Sequence, residues 1–208
     1  MMNNICRITH ISDTHGFHES LTLKGGDILI HSGDIFDLEK KISIKKILDW
    51  FEGTPYEFKI IVLGNHDNQE FLEYKLPEKV LLLNNKFINI HNISFYGLTG
   101  TLKKNYTPYS FGQLSDTDIA NELQDIGCDV FITHGPPKDI LDNKLGESVG
   151  SVSLLEYVKK HKPKYHLFGH AHHSRGTISN GLTTFSNASI VKKLFTKTLG
   201  GIPFDFTL

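Results

Sequence analysis

The chain has 208 residues, enough to bury a substantial core, and we expect residues 1–208 to form a single domain. Its 22 Lys and Arg residues nearly balance its 23 Asp and Glu residues without a basic stripe, so stable nucleic-acid binding is not expected. No apolar run could span a bilayer, no secretory signal precedes the first strand, and Cys6 and Cys128 form no ligand-like pair, so we expect a cytoplasmic protein with reduced thiols.

The predicted elements alternate between strands and helices. Short apolar runs bounded by turn residues predict strands at Ile5–Ile11, Asp27–His31, Phe58–Leu63, Phe87–Ile90, Ile93–Tyr96, Asp129–Thr133 and Lys164–Phe168. Wider apolar periodicity predicts helices at Glu39–Phe51, at Asp116–Ile126 after the N-cap Ser115, and at Ser151–His161. Further strands are expected within Gly176–Ile190 and Leu194–Leu208. This order predicts a layered α/β domain.

Polar side chains follow five of these strands directly. The strand ends continue as DTHG, GDIFD, GNHD, HGPP and GHAHH. In open α/β sheets the binding crevice lies outside the carboxyl ends of the strands. Five separate segments therefore deliver reactive side chains to the same edge of the fold.

The side chains at this edge are suitable metal ligands. Carboxylate, amide and imidazole groups occur at Asp13, His15, Asp34, Asn65, His134, His170 and His172. Such mixtures suit Mn, Fe, Zn, Co or Ni, and the lack of thiolates argues against a structural zinc site. Seven groups are too many for one ion, so we expect two divalent transition metal ions that share a bridging carboxylate.

The same motifs resemble those of the calcineurin-like metallophosphoesterases. That family has D-x-H, G-D, G-N-H-D/E, a single H and G-H-x-H in this order, and the five blocks here end with Gly169-His170-Ala171-His172. The segments THGPP and KPKYHLFGH further resemble the small single-domain branch grouped with class III cyclic-nucleotide phosphodiesterases. The resemblance implies a four-layer α-β-β-α sandwich of two mixed β-sheets flanked by helices.

The resemblance also implies a role for each ligand. One metal would be held by Asp13, His15 and His172, and the other by Asn65, His134 and His170. Asp34 would bridge the two metals, and a hydroxide between them would be the nucleophile. Of the candidate metals, Mn²⁺ is the one that we expect the site to hold.

His66 follows the ligand Asn65 and is expected to act on the substrate. The resemblance implies that His66 stabilises the developing charge and protonates the leaving oxygen, so that Asn65 and His66 both contact substrate. In some branches of that family a carboxylate three residues after the bridging aspartate orients this histidine, so the resemblance implies this role for Asp37, with Asp67 as the competing candidate. Arg175 could pair with a phosphate oxygen, or it could be a surface arginine in a turn.

Other histidines and two loops have less specific interpretations. His10, His91, His161 and His166 are interpreted as structural residues. Two loops, Thr99–Gly112 and Leu141–Gly150, are expected to shape the substrate site. In the first loop, aromatic side chains could stack a nucleobase or pin the loop to the core; these are Tyr106, Tyr109 and Phe111.

The sequence therefore predicts a two-metal phosphoesterase that hydrolyses small phosphodiesters, cyclic nucleotides included, by attack of a metal-bridging hydroxide. A phosphomonoesterase is the alternative enzyme. The alternative that is not an enzyme is a protein-interaction scaffold with this fold. A scaffold does not require a cluster of seven ligands and His66. The oligomeric state stays open.

Overall fold

Two mixed β-sheets lie at the centre of the computed structural model, which describes residues 5–36, 42–103, 111–193, 198–199 and 202–208. From edge to edge, the first sheet contains β17 (Phe204–Thr207), β1 (Arg7–Ile11), β2 (Gly26–His31), β3 (Tyr56–Ile61) and β4 (Val80–Leu82). Only the outer pair β17–β1 is antiparallel; the other pairs in this sheet are parallel.

The second sheet combines a parallel centre with antiparallel edges. Its order is β13 (Gly176–Ser179), β14 (Thr184–Asn187), β12 (Tyr165–Phe168), β9 (Val130–Thr133), β6 (Ile93–Leu98) and β5 (Lys86–Ile90). The edge pairs β13–β14 and β6–β5 are antiparallel. Three small two-stranded sheets complete the described strands: β7 (Thr101–Leu102) with β8 (Gln113–Leu114), β10 (Asn143–Lys144) with β11 (Glu147–Ser148), and β15 (Val191–Lys193) with β16 (Thr198–Leu199).

Alternation along the strands divides the apolar side chains among three cores. In β2, Ile28 and Ile30 face the core between the sheets, and Leu29 faces the opposite core. In β9, Val130 and Ile132 likewise enter the central core, whereas Phe131 enters the third. Three cores separate four layers, so the predicted α-β-β-α sandwich is confirmed.

Among the described residues, three α-helices cover the outer faces of the sheets. They are α1 (Ile44–Gly53) against the first sheet, and α2 (Asp116–Glu122) and α3 (Val152–His161) against the second. In α1, side chains one turn apart, such as Ile44, Ile47, Leu48 and Phe51, enter the first core.

Capping residues set the start of each helix. The prediction that α1 begins at Glu39 is wrong at its start: Ser43 is extended, and its side chain accepts a hydrogen bond from the backbone N–H of Lys46, so the helix begins at Ile44. Ser115 caps α2 as predicted, in a capping box with Asp118, but α2 ends at Glu122 rather than Ile126 because Leu123 is extended. Ser151 is the N-cap of α3 rather than its first residue.

Two further features of the described residues bear on the sequence predictions. Cys6 and Cys128 are both free thiols. Within the described part of the chain, no helix has the length and hydropathy that crossing a membrane requires.

Candidate metal centre

The five predicted ligand segments meet where the parallel strands of both sheets end. Asp13 and His15 follow β1, Asp34 follows β2, and Asn65 follows β3. From the second sheet, one segment follows β9 and carries His134, and another follows β12 and carries His170 and His172. A parallel bridge from Ser12 to Ser189 joins the two sheets at this point, which brings the ends of β1 and β14 together.

Six of the predicted ligands form two groups with a shared member. One donor atom each from Asp13, His15, Asp34 and His172 lie within 4.8 Å of one another. A second group at the same spacing comprises Asp34, His134 and His170. Asp34 belongs to both groups, which is the arrangement that a bridging carboxylate requires.

Asp34 occupies the middle of the cluster. Its Oδ2 lies 3.3 Å from Nε2 of His134, 3.8 Å from Nε2 of His15 and 3.9 Å from Nε2 of His66. Its Oδ1 accepts a hydrogen bond of 2.9 Å from the backbone N–H of His66. Three imidazole rings thus face one carboxylate oxygen, while the other oxygen is held by the backbone.

Backbone carbonyls orient two of the imidazole ligands. Nδ1 of His134 donates to the carbonyl oxygen of Ser32 at 2.8 Å, and Nδ1 of His15 donates to that of Phe36 at 3.3 Å. A carbonyl oxygen can only accept, so Nδ1 carries a proton in both rings and Nε2 is the nitrogen that faces the cluster. With Nδ1 held in this way, Nε2 is the atom that would bind a metal once it is deprotonated.

One buried atom tests whether these residues fit a metal. Oδ1 of Asn65 is buried and has no hydrogen-bond partner among the residues that the structure describes. Buried polar atoms are nearly always paired, so an unpaired oxygen beside these carboxylates and imidazoles indicates a site for a cation. The donor set of carboxylates, imidazoles and one amide oxygen suits a divalent transition metal.

The charges at the site favour a bound cation. Burial raises the pKa of the Asp13 carboxyl, but the His172 and His134 imidazoles have the larger combined effect and hold this pKa below its usual range. Burial lowers the pKa of His134, but the Asp34 and Asp13 carboxylates raise it to about 9. The two buried carboxylates are therefore anionic and attract positive charge to their histidine neighbours.

Four of the predicted ligand residues have an unusual backbone conformation. Asp13, His15, Asp34 and His170 all have positive φ, between 42° and 64°. Non-glycine residues adopt this region rarely, and such residues concentrate at functional sites.

Glycines before two of the ligands leave space for close packing. A Cβ on Gly64 would collide with the Asp34 carboxylate, and a Cβ on Gly169 would collide with Ser12 and the Asp13 carboxylate. The glycines in GNHD and GHAHH are therefore required by the close approach of the ligand carboxylates.

Asp67 has a role that the sequence does not reveal. Its carboxylate accepts four backbone N–H bonds, from Asp34, Ile35, Phe36 and Gly64, at 2.7–3.2 Å. It therefore joins the loop after β2 to the loop after β3. Three of its donors lie about 30 residues away along the chain, and no local pattern indicates them.

Two buried side chains support the ligands from behind. Oγ of Ser189 donates to Oδ2 of Asp13 at 2.9 Å, and the amide of Asn187 donates to the carbonyl of Ala171, between His170 and His172, at 2.9 Å. Both residues lie in the predicted strand-rich segment Gly176–Ile190, which shows no ligand-like spacing that would single them out.

Four other residues predicted at the site either lie outside the described residues or contact another segment. Asp37, Tyr106 and Tyr109 lie outside the described residues. The Arg175 guanidinium donates to the carbonyl of Ile202 and lies 4.2 Å from the centre of the Phe204 ring. Arg175 is thus engaged with the C-terminal segment, a placement that does not favour the predicted phosphate contact.

The remaining histidines and Phe111 agree with structural roles. His10 and His166 are buried within β1 and β12, and burial lowers both pKa values to about 3. His91 lies in the turn between β5 and β6. Phe111 packs against the core beneath α1, which favours the interpretation that it pins its loop.

Comparison with known proteins agrees with the fold and the ligand order. The calcineurin-like phosphoesterase family matches residues 6–174. Metallophosphoesterase domain-containing protein 1 of Homo sapiens is 30% identical over 220 residues, which cover 88% of this chain and 66% of that protein. UPF0046 protein C25E10.12 of Caenorhabditis elegans is 32% identical over 234 residues, which cover 100% of this chain and 83% of that protein.

A solved structure shares the fold at lower identity. The structure of TT1561 from Thermus thermophilus superposes with a TM-score of 0.58 at 16% identity and covers 95% of this chain and 98% of that one. The four layers, the ordered ligand motifs and the family match over most of the sequence lead to one conclusion: the chain belongs to the calcineurin-like phosphoesterase family.

Proposed function

We propose that this protein is a two-metal phosphoesterase that hydrolyses small phosphodiesters. The observation that carries the proposal is the position of Asp34, which belongs to both groups of metal-ligand atoms. A single ion would leave one of these groups unused. The family supports a metal-dependent hydrolase, and the shared carboxylate supports the second ion.

The two ions would be held by the groups already described. Asp13, His15 and His172 would complete the first site, and Asn65, His134 and His170 the second, with Asp34 common to both. Bound ions would supply Lewis acidity toward the phosphoryl oxygens and toward water. Mn²⁺ is the proposed physiological metal, with Fe, Zn, Co and Ni as competitors for the same donors.

His66 would move the proton to the leaving group. Its backbone N–H is fixed by Asp34, and its ring centre lies 5.1 Å from that of His15, so the imidazole stands beside the ligands. The side chain is 6% exposed, and this burial lowers the pKa of the ring, which makes a proton on it easier to give up. An imidazole in this position can stabilise charge on the leaving oxygen and then protonate it.

The proposed substrates are aryl phosphodiesters and 2′,3′- or 3′,5′-cyclic nucleotides. Support comes from the resemblance of THGPP and KPKYHLFGH to the cyclic-nucleotide branch and from the absence of a basic stripe that would hold a nucleic-acid strand. A monoanionic diester can place one non-bridging oxygen against the ligand cluster while His66 meets the leaving oxygen.

The test combines metal content with a comparison of matched esters. Elemental analysis after reconstitution with Mn²⁺ should find about two ions per chain, and kcat/KM should be higher for a bis-aryl phosphate than for the corresponding aryl phosphate. No more than one ion at saturation would contradict the two-metal centre. A clear monoester preference would instead support a phosphomonoesterase, and absence of turnover with both ions bound would support a scaffold.

A further inference from the structure

The segment that follows β14 runs beside the segment that follows β1, where the two sheets meet. Ser189 forms a parallel bridge with Ser12. The backbone N–H of Ile190 donates to the Ser12 carbonyl at 2.9 Å. The N–H of Val191 donates to the carbonyl of the predicted ligand Asp13 at 3.2 Å. The backbone of Ser189 is therefore fixed against that of Asp13, 176 residues earlier in the chain.

The amide of Asn187 holds Ser189 from the other side. Its Nδ2 donates to the carbonyls of Leu141 and Ala171 at 3.2 and 2.9 Å. Carbonyl oxygens only accept, so the orientation of the amide is unambiguous, and its Oδ1 accepts the backbone N–H of Ser189 at 3.2 Å. Both Asn187 and Ser189 are buried. The Ser189 side chain consequently has a defined position that solvent does not reach.

The hydroxyl of Ser189 has one hydrogen and two acceptors within reach. Oδ2 of Asp13 lies 2.9 Å from Oγ, and Oδ1 of Asn187 lies 2.8 Å from it. The Asp13 carboxyl, whose pKa lies below its usual range, is anionic. A hydrogen bond to a charged acceptor is roughly twice as strong as one to a neutral amide, so the hydroxyl donates to Asp13.

The two oxygens of the Asp13 carboxylate have different surroundings. Oδ2 accepts from Ser189 and from the backbone N–H of His170, each at 2.9 Å. It also packs against Gly169, where an added Cβ would lie 2.1 Å from it. Oδ1 lies 2.9 Å from Nε2 of His172, which belongs to the same ligand group as Asp13. Oδ1 is therefore the oxygen that faces the other ligands.

We propose that Ser189 is a positioning residue, which holds Oδ2 of Asp13 and leaves Oδ1 for the ion of the first site. This inference rests on the proposed function. Ser189 lies beyond residues 6–174, the part of the chain that matches the family, so the family motifs do not supply it. A hydrogen bond to a ligand fixes its orientation, and loss of such a bond weakens metal binding by about 10–100-fold.

The experiment measures metal binding without turnover. Calorimetric titration of the chelator-treated protein with Mn²⁺ should give two dissociation constants. Ser189→Ala should raise one of them about 10-fold or more and leave the other within about twofold, because only the first site contains Asp13. Ser186→Ala is the matched control: it removes a buried hydroxyl from β14 that contacts Nδ1 of His10 and no predicted ligand, and both constants should stay within about twofold.

Ser189→Thr keeps the hydroxyl and should preserve both dissociation constants within about threefold. Urea unfolding in chelator checks that each variant is folded. With two ions bound by the unmodified protein, unchanged constants in Ser189→Ala would overturn the Ser189 inference alone. Equal weakening by Ser189→Ala and Ser186→Ala, or by Ser189→Ala and Ser189→Thr, would also overturn it. No more than one ion bound by the unmodified protein would instead overturn the proposed two-metal function.

Discussion

The predicted ligand residues combine unfavourable backbone angles with strong local restraint. Positive φ at Asp13, His15, Asp34 and His170 costs on the order of 1–3 kcal/mol each. Backbone hydrogen bonds hold these angles: the N–H of Asp13 donates to Gly33 at 2.8 Å, and that of His15 donates to Asp34 at 3.1 Å. The ligand geometry therefore depends on bonds between neighbouring strand ends, and a short peptide copy of one motif would not preserve it.

Replacement of His66 tests its role as a proton donor. His66→Ala should lower kcat by roughly 10²–10⁴-fold while metal content stays near that of the unmodified protein. The loss should be smaller for a nitrophenyl ester, because nitrophenolate departs without a proton. His173→Ala, beside a ligand but outside both ligand groups, is the control and should have a small effect. An equal loss for good and poor leaving groups would limit His66 to charge stabilisation or positioning.

His166 should make a measurable contribution to the pH dependence of stability. Burial lowers its folded-state pKa to about 3, below an unfolded value of about 6.5, so its contribution is fully present above pH 6.5 and is lost as the pH falls. The free energy of unfolding of the chelator-treated protein can be measured with urea between pH 6 and pH 4. Over this range it should fall with decreasing pH about 1.4 kcal/mol per pH unit more steeply than that of His166→Phe. Identical slopes would show that His166 is protonated in the folded protein.

For the secondary-structure elements, the sequence predicts features that depend on local residue patterns and misses features that depend on contacts between distant segments. The predicted ligand segments can be located in the sequence because each directly follows an apolar strand such as β9 or β12. The two-residue strands β7, β8, β10 and β11 carry too few residues to show periodicity. The sequence pattern places the start of α1 too early because the apolar pattern continues upstream, through Ile42, while Ser43 ends the extended segment.

Tertiary contacts explain the other omissions at the site. The sequence suggests Asp67 only as a helper for the neighbouring His66, whereas three of its donors come from the loop after β2.

The turn of the β10–β11 hairpin contains a strained leucine. Leu145 has φ of 58°, precedes Gly146 at 89°, and is 78% exposed. Leu145→Asn should raise the free energy of unfolding by about 1 kcal/mol, because asparagine tolerates this conformation and little apolar burial is lost. Urea unfolding is the measurement. Leu182→Asn, an exposed leucine without positive φ, should bring no such gain, and a comparable gain there would contradict the strain argument.

For the whole molecule, the ligand cluster links the two sheets through charged groups as well as through the apolar core. The Asp13 carboxylate lies 2.9 Å from His172, and the Asp34 carboxylate lies 3.3 Å from His134, so each carboxylate after the first sheet faces a histidine after the second. Ions shared between these groups would favour the folded state, because the unfolded chain does not present the ligands together.

Removal of metal should therefore lower thermal stability. At a free metal concentration of about 100 times Kd, metal binding adds about 2.7 kcal/mol to the free energy of unfolding. Loss of this contribution on chelation corresponds to a decrease in Tm of roughly 5–10 °C for a chain of this length. Asp34→Asn, which removes the shared carboxylate, should have a Tm that barely responds to chelator or Mn²⁺. An unchanged Tm for the unmodified protein across the same titration would contradict the coupling of metal binding to folding.

The antiparallel partner of β1 comes from the opposite end of the sequence. The outer neighbour of β1 (Arg7–Ile11) is β17 (Phe204–Thr207), which follows it by about 200 residues. During synthesis, β17 can close the outer edge of β1 only when residues 204–207 have emerged from the ribosome, and until then that edge lacks this partner. Because His170 and His172 follow Asp13 by more than 150 residues, a nascent chain that has not reached them lacks two of the side chains that could hold a metal.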